Sequence, residues 1–506
     1  MQDSIFSIIV CLFVILTLYY TFAGPFRWML LLLASLLFYS TYVDFYLITI
    51  LITSSILVYL IAIAIERVID YRYKFYLLWS GIILCSMPLV YFKYYPFIIE
   101  NLNQLLLIFR LKTSFSSPKI LSFIGVSYYT FQAISYLADV YLKRFKAEKH
   151  FGFFLLYQIF FPKILQGPIE RASDLITQLK NECGTINSNN PIINWDNIQM
   201  GLLFCLSGFF KKLVVADRLG MYVNEVFKNT TSYDGYAFWI GSFFYTFQIY
   251  YDFSGLTDIS LGIARFFNIK LTNNFNYPFL ATSISDFWKR WHISLSRWLM
   301  DYIFTPLLFS CKKLKFYAIP FSLMITFIVC GIWHGANWTF VAWGFFHGTL
   351  LSMYYITEDV RKKLWAKTRI AEESKIRSVV AIFVTFVSVS LSMVFSRAVD
   401  ISSAFYIFSK LLTFEKNSFS DLFYKLTVEK SLLKNSAYDF FLSIALIVLL
   451  YSLSAWTVFY KKDRDFFIKK FFQLKFFTKV VVYIFLLVVI FIFSVSEKSD
   501  FIYINF

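Results

Sequence analysis

The sequence predicts an all-α polytopic membrane protein, and three observations predict it. Of the 506 residues, 58% are hydrophobic and 16% charged, whereas about a quarter of a soluble globule is charged. Apolar runs near the length of a bilayer-crossing helix, roughly 17 to 25 residues, recur along the chain. The formal charge of +17 falls in short basic clusters between these runs, which is the positive-inside pattern and not a nucleic-acid surface.

Taken in order, the runs near Ile5–Tyr20, Trp28–Tyr42, Tyr46–Ile65 and Phe75–Phe92 predict four N-terminal spans. The first has no basic n-region and is followed at once by further spans, so it reads as a retained helix and not a signal peptide. Further runs lie near Ile120–Leu142, Phe151–Leu165, Met200–Phe210, Ala237–Phe253, Tyr317–Cys330, Trp338–Tyr355, Val379–Phe395, Phe440–Val458 and Val480–Phe493. Together they give about 11 to 13 membrane or re-entrant helices. Those between 151 and 215 are short, and re-entrant backbone is tolerated only where protein shields it or water meets it. The expected organisation is one membrane domain over 1–506, with a motif-bearing core at about 120–360 and peripheral helices at 1–115 and 375–506.

Orientation follows from the basic clusters Lys143, Arg144, Lys146 and Lys149, then Arg361, Lys362, Lys363, Lys367 and Arg369, then Lys461, Lys462, Arg464, Lys469 and Lys470. Placing these inside, with Arg67, Arg72 and Lys74, puts the N-terminus, the 397–437 loop and the C-terminus outside. The parity does not carry through 151–235. The six cysteines show no metal or redox spacing, and no glycine-rich phosphate loop, zinc-protease motif or serine nucleophile elbow occurs. No metal and no permanently bound cofactor are expected. No internal repeat supports the inverted halves of many transporters.

The chemistry gathers in the middle. Of four histidines, His292, His334 and His347 fall between 292 and 347, and His150 sits in a basic loop where solvent exposure is expected. His334 lies in "FIVCGIWHGANWTFVAWGFFHG" (327–348), and an ionisable side chain in so apolar a segment is a functional-site hypothesis by default. Upstream, "GVSYYTFQAISYLADVYLKR" (125–144) carries Ser127, Gln132 and Asp139, and "FFPKILQGPIER" (160–171) crowds Lys163, Gln166, Glu170 and Arg171 around helix-breaking Pro and Gly. "SGFFKKLVVADRL" (207–219) and "YTFQIYYDFSGLTDISLGIARFFN" (245–268) add Lys211, Lys212, Asp217, Arg218, Gln248, Asp252 and Asp258. Intramembrane carboxylates must pair or face water; Arg171, Lys211 and Arg290 are the expected partners of Asp252 and Asp258. In "NNFNYPFLATSISDFWKRWHISLSRWLMDYIFTPL" (273–307), residues Ser285–Tyr302 read as one helix mixing Trp288, Trp291 and Trp298 with Lys289, Arg290 and Arg297. By composition alone that is an interfacial anchor.

These segments, in this order, resemble the membrane-bound O-acyltransferase (MBOAT) family, in its bacterial branch of membrane subunits for alginate and peptidoglycan O-acetylation and, more distantly, teichoic acid D-alanylation. The resemblance rests on Ser-x-Tyr-Thr-Phe-Gln, Phe-Pro-x-x-x-x-Gly-Pro-Ile, Phe-Lys-Lys-x-x-x-Ala-Asp-Arg, Tyr-x-Asp-Phe-Ser-Gly, Asn-Phe-Asn-x-Pro, Asp-Phe-Trp-x-Arg-Trp-His-Ile-Ser-Leu-Ser and Gly-x-Trp-His-Gly, spread over nearly half the chain. It implies an MBOAT-type helical core, His334 as catalytic base and His292 as a second catalytic position that orients the thioester or holds its carbonyl, or else makes a structural hydrogen bond. Neutral imidazole is suited to taking the hydroxyl proton as a thioester is attacked. Candidate donor- or substrate-binding residues are Lys289, Arg290, Arg297, Asp252, Gln248, Trp333 and Asn337. Along one continuous helix His347 would lie roughly 20 Å from His334, out of reach unless the helix breaks at Gly335–Asn337.

The implied activity is transfer of an acetyl group from a cytoplasmic thioester, acetyl-CoA, toward hydroxyls of an extracytoplasmic polysaccharide such as peptidoglycan or alginate. The implied setting is a bacterial cytoplasmic (inner) membrane, with membrane lipids, the cytoplasmic donor, an extracytoplasmic serine-type acyltransferase and the polymer as partners, and no nucleic acid. Competing readings are D-alanyl transfer to teichoic acid, a transporter or flippase, and a non-catalytic scaffold.

Overall fold

The computed structural model describes residues 2–21, 26–111, 115–116, 125–164, 167–183, 193–368, 371, 374–413, 418–427, 437–460 and 464–495. Gln166, Arg369, Lys461 and Lys462 lie outside the described residues. Those described are helical, with no strand among them. That is the outcome expected where lipid offers the backbone no hydrogen bonds. Among the described residues, seven helical stretches are long and apolar enough to cross a membrane: Phe45–Arg67, Tyr71–Ile108, Trp195–Lys228, Lys312–His334, Lys375–Arg397, Ala437–Phe459 and Phe476–Phe493. The protein is an all-α, multi-pass membrane protein.

The chain forms two compact units, Met1–Cys205 with Thr257–Thr272, and Leu206–Leu256 with Asn273–Phe506. The first holds α1 (Gln2–Thr21), α2 (Arg27–Ser40), α3 (Phe45–Arg67), α4 (Tyr71–Leu89), α5 (Tyr95–Ile108), α6 (Val126–Tyr141), α7 (Phe151–Ile159), α8 (Phe161–Ile164), α9 (Ala172–Cys183) and most of α10 (Trp195–Phe209). A π-helical turn, Val90–Tyr94, joins α4 to α5, so the predicted 75–92 span runs on to 108. The core of this unit packs Tyr39, Leu47, Leu51, Leu89, Tyr129, Leu155 and Ile159. The interruption expected around Pro162 is present. Phe160 leaves the helix at φ −51°, ψ 110°, and the Phe161 N–H this frees donates to Ser35 Oγ at 3.1 Å. Buried Lys163 lies over the Tyr157 ring, 5.1 Å from its centroid. His150 is exposed, as expected, and its Nδ1 caps α7.

The second unit begins inside a longer helix than the sequence suggests. The 200–210 run is no short segment: a π-helical stretch, Phe210–Ala216, continues α10 into α11 (Asp217–Lys228). α12 (Gly235–Phe266) follows, its residues divided between the units. The predicted Ser285–Tyr302 helix is broken into α13 (Ile284–Arg290), α14 (Ile293–Leu299), a π-helical turn and α15 (Thr305–Ser310). Its tryptophans are not interfacial anchors either, since Trp288, Trp291 and Trp298 are all buried. α16 (Ala318–His334) and α17 (Trp338–Ile356) form a hairpin, followed by α18 (Glu358–Lys367), α19 (Lys375–Arg397), α20 (Ile401–Lys410), α21 (Ser418–Thr427), α22 (Ala437–Phe459), α23 (Arg464–Phe472) and α24 (Phe476–Phe493). Glycine brings the hairpin's backbones together. A β-carbon on Gly331 would stand 2.2 Å from the Phe340 carbonyl oxygen, and one on Gly344 2.3 Å from that of Phe327. Such small-residue contacts carry helix association where lipid removes the hydrophobic drive.

Candidate active site

His334 is the last residue of α16, and the helix ends there because Gly335 turns extended and Asn337 caps α17 through its side chain. The break at Gly335–Asn337 that would bring His347 within reach therefore exists. Trp343 of α17 lies edge-on to both imidazoles, with ring centroids 5.0 Å from His334 and 4.6 Å from His347. Trp333 lies on the other side, 4.9 Å from His334 and 6.2 Å from His292. Three histidines far apart in sequence thus share one aromatic cluster.

His292 enters the cluster through strained backbone. It sits between α13 and α14 at φ 42°, ψ 56°, a left-handed conformation that costs an L-residue about 1–2 kcal/mol. Residues 273–277 splint the break. Asn276 N–H donates to the Arg290 carbonyl (2.9 Å), Ile293 N–H to the Asn274 carbonyl (3.0 Å), and Ser294 N–H to Asn274 Oδ1 (3.1 Å). The Asn-Phe-Asn motif therefore satisfies polar backbone that would otherwise be buried unpaired, at about 1–3 kcal/mol a group. The His292 ring itself is fully buried, edge-on to Phe253 at 4.7 Å. Neither ring nitrogen has a hydrogen bond to another described residue. Outside the seven candidate spans, His292 is pushed down to about 3 by burial, which keeps the ring neutral.

A cavity of about 20 Å³ lies against His334, lined also by Ile249, Trp291, Phe340, Trp343, Met393 and Ser396. That is room for about one water. His334 is 6% exposed. The arrangement is a buried imidazole beside a small, partly open and mostly apolar cavity with aromatic walls, where a proton can be moved with little bulk water present.

The other candidates separate from this centre. Asp252 is 1% exposed and bonds Lys212 at 2.8 Å, while Lys212 also meets Asp217 at 2.9 Å. The cation beside Asp252 is thus Lys212, and Arg290, one of the partners expected for it, bonds Asp286 at 2.8 Å. Gln248 packs against Gly220 of α11 and not in the His334 cavity. Asn337 Oδ1 accepts from Thr339 N–H (3.0 Å) and its Nδ2 donates to the Val399 carbonyl (3.3 Å), a capping role. Lys289 and Arg297 are exposed. Of the binding candidates, Trp333 lies against His334. Sequence reasoning missed Asn274, Trp343, Met393 and Ser396. Asn274 was visible within its motif; Met393 and Ser396 come from α19, where nothing but hydropathy marks the chain.

A model of the MBOAT, membrane-bound O-acyltransferase family, matches residues 145–396. A peptidoglycan O-acetyltransferase of Helicobacter pylori is 33% identical over 398 residues, covering 74% of this chain and 71% of that protein. A probable alginate O-acetylase of Pseudomonas aeruginosa is 34% identical over 344 residues, 67% of this chain and 63% of the relative. A teichoic acid D-alanyltransferase of Streptococcus thermophilus is 29% identical over 301 residues, 55% of this chain and 69% of the relative. The buried histidine cluster, the ordered motifs around it and these matches agree: the chain belongs to the membrane-bound O-acyltransferase family, and is an O-acyltransferase of the membrane.

Proposed function

We propose that the chain moves an acetyl group from acetyl-CoA on the cytoplasmic side toward hydroxyls of an extracytoplasmic polysaccharide, delivering it to a separate serine-type transferase outside. The observation that carries this reading is the position of His334 on α16. Lys312, Lys313 and Lys315 precede α16, and Arg361, Lys362, Lys363 and Lys367 follow α17; the Phe316–Tyr355 ring contact, 5.5 Å, holds these ends of the hairpin together. By the positive-inside rule that end is cytoplasmic. His334 is at the far end of α16, which at about 1.5 Å per residue is roughly 24 Å away. A donor entering from the basic side and an acceptor from the other would meet at His334.

There the acceptor hydroxyl attacks the thioester carbonyl carbon while His334 accepts its proton. Collapse of the tetrahedral intermediate breaks the carbon–sulfur bond, and the proton returns to the leaving thiolate as the thiol departs. Acetyl is favoured over D-alanyl because the O-acetylating relatives are 32–34% identical to this chain and the D-alanylating ones 25–29%. A transporter or a scaffold would not need a buried titratable ring beside a small aromatic-walled cavity. His334→Ala tests the base: acetylation of the surface polymer should fall by on the order of 10²- to 10⁴-fold with membrane insertion intact. Wild-type acetylation by an inserted His334→Ala protein contradicts the reading.

A further inference from the structure

His347 has no part in the chemistry just described, yet its imidazole is wholly buried, one turn beyond Trp343 on α17. Its surroundings explain why it is held there. The Trp288 indole N–H of α13 donates to His347 Nδ1 at 3.3 Å, which fixes the neutral tautomer with its proton on Nε2. The same ring lies edge-on to Trp288 at 5.2 Å and to Trp343 at 4.6 Å, and Phe327 of α16 closes the group, 4.7 Å from Trp288 and 6.2 Å from His347. Trp343 is in turn edge-on to His334 and lines the His334 cavity. One hydrogen bond and successive edge contacts therefore lead from α13, through His347, to the indole against which His334 rests.

We infer that His347 is a positioning residue for acyl transfer. By accepting from Trp288 it fixes the Trp343 indole, and that indole sets the direction of the His334 imidazole. An aliphatic residue of similar size would fill the space without the acceptor, and so would leave Trp288 and Trp343 free to shift. The inference rests on the reading of His334 as the base. A misplacement of about 1 Å at a reacting group costs on the order of 10²-fold in rate, so the effect belongs in kcat and not in donor binding.

The test compares His347→Leu, His347→Asn, Trp288→Phe and His334→Ala, each purified as the full chain in detergent and assayed for acyl transfer from acetyl-CoA to added serine-type transferase and polymer, with melting temperature recorded. In His347→Asn the amide oxygen takes the place of Nδ1 and still accepts from Trp288. His347→Leu and Trp288→Phe should lose on the order of 10²-fold in kcat with KM for the donor unchanged, while His347→Asn stays within about threefold of the parent. Combining His347→Leu with His334→Ala should give no loss beyond His334→Ala alone, since residues acting as a unit are not additive. Should His347→Leu fail to fold, Trp288→Phe against His347→Asn decides the same point. Full kcat in a folded His347→Leu or Trp288→Phe, or equal loss in His347→Asn and His347→Leu, overturns the inference while an inactive His334→Ala leaves the base assignment standing. An active His334→Ala overturns that assignment instead.

Discussion

His292 shows how much one residue's backbone decides. Histidine enters the left-handed region more often than most non-glycine residues, but flanked by helix-forming neighbours it gives too weak a signal to break the reading of 285–302 as continuous helix. The structure breaks there and turns the imidazole inward, and strained residues of this kind gather at functional sites. His292→Asn tolerates the backbone and removes the ring. If the ring steadies the thioester carbonyl, acyl transfer should fall on the order of 10²-fold with the melting temperature kept; unchanged turnover would rule that role out. Lys212 carries a different kind of burden, since it holds Asp217 and Asp252 in the interior of its unit. Lys212→Met should destabilise the protein by about 3–5 kcal/mol, because it removes the cation that two buried carboxylates share. Adding Asp252→Asn should recover part of that loss in a thermal melt, and no recovery would mean the triad is not the source.

At the scale of the element, hydropathy located at least part of each of the seven spanning stretches, but not shorter helices such as α9, α18, α20, α21 and α23, nor how the helices join. Two adjacent lysines, Lys211 and Lys212, look like the end of a span, yet Lys212 is neutralised within the protein and the helix continues through a π segment. The histidine cluster was half legible. The ordered motifs marked His292 and His334, but Trp343 and Trp288 join them only through contacts between α13, α16 and α17, and Met393 arrives from a helix with no motif. The α16–α17 hairpin depends on the close approach at Gly331. Gly331→Ala drives a β-carbon to 2.2 Å from the backbone carbonyl of Phe340, whereas one on Gly348 meets the Met324 sulfur at 3.0 Å and its Cα at 3.1 Å, a tight fit that needs a far smaller shift. Gly331→Ala should therefore melt lower, by about 1–3 kcal/mol of overpacking, and Gly348→Ala by less. Equal melting temperatures would show that the hairpin is not packed this tightly.

At the scale of the whole molecule, transfer from a cytoplasmic donor requires the basic ends of the helices to face that donor. Cysteines introduced near Lys367 and Lys469, after removal of the six native ones, should resist a membrane-impermeant thiol reagent added outside. One at Leu412, 82% exposed between α20 and α21, should react. Labelling of all three reverses or abolishes that orientation. Across a hydrocarbon core of about 30 Å, acyl transfer from inside donor to outside polymer needs a protein path, and the described segments include no large soluble domain to hold a polymer. The most direct measurement is reconstitution in sealed vesicles loaded with acetyl-CoA, with polymer and a serine-type transferase added outside. External polymer should become acetylated only with both the chain and the added transferase present, and not with His334→Ala. Acetylation by the chain alone as fast as with its partner, or acetylation that depends on acetyl-CoA being outside, would contradict the account.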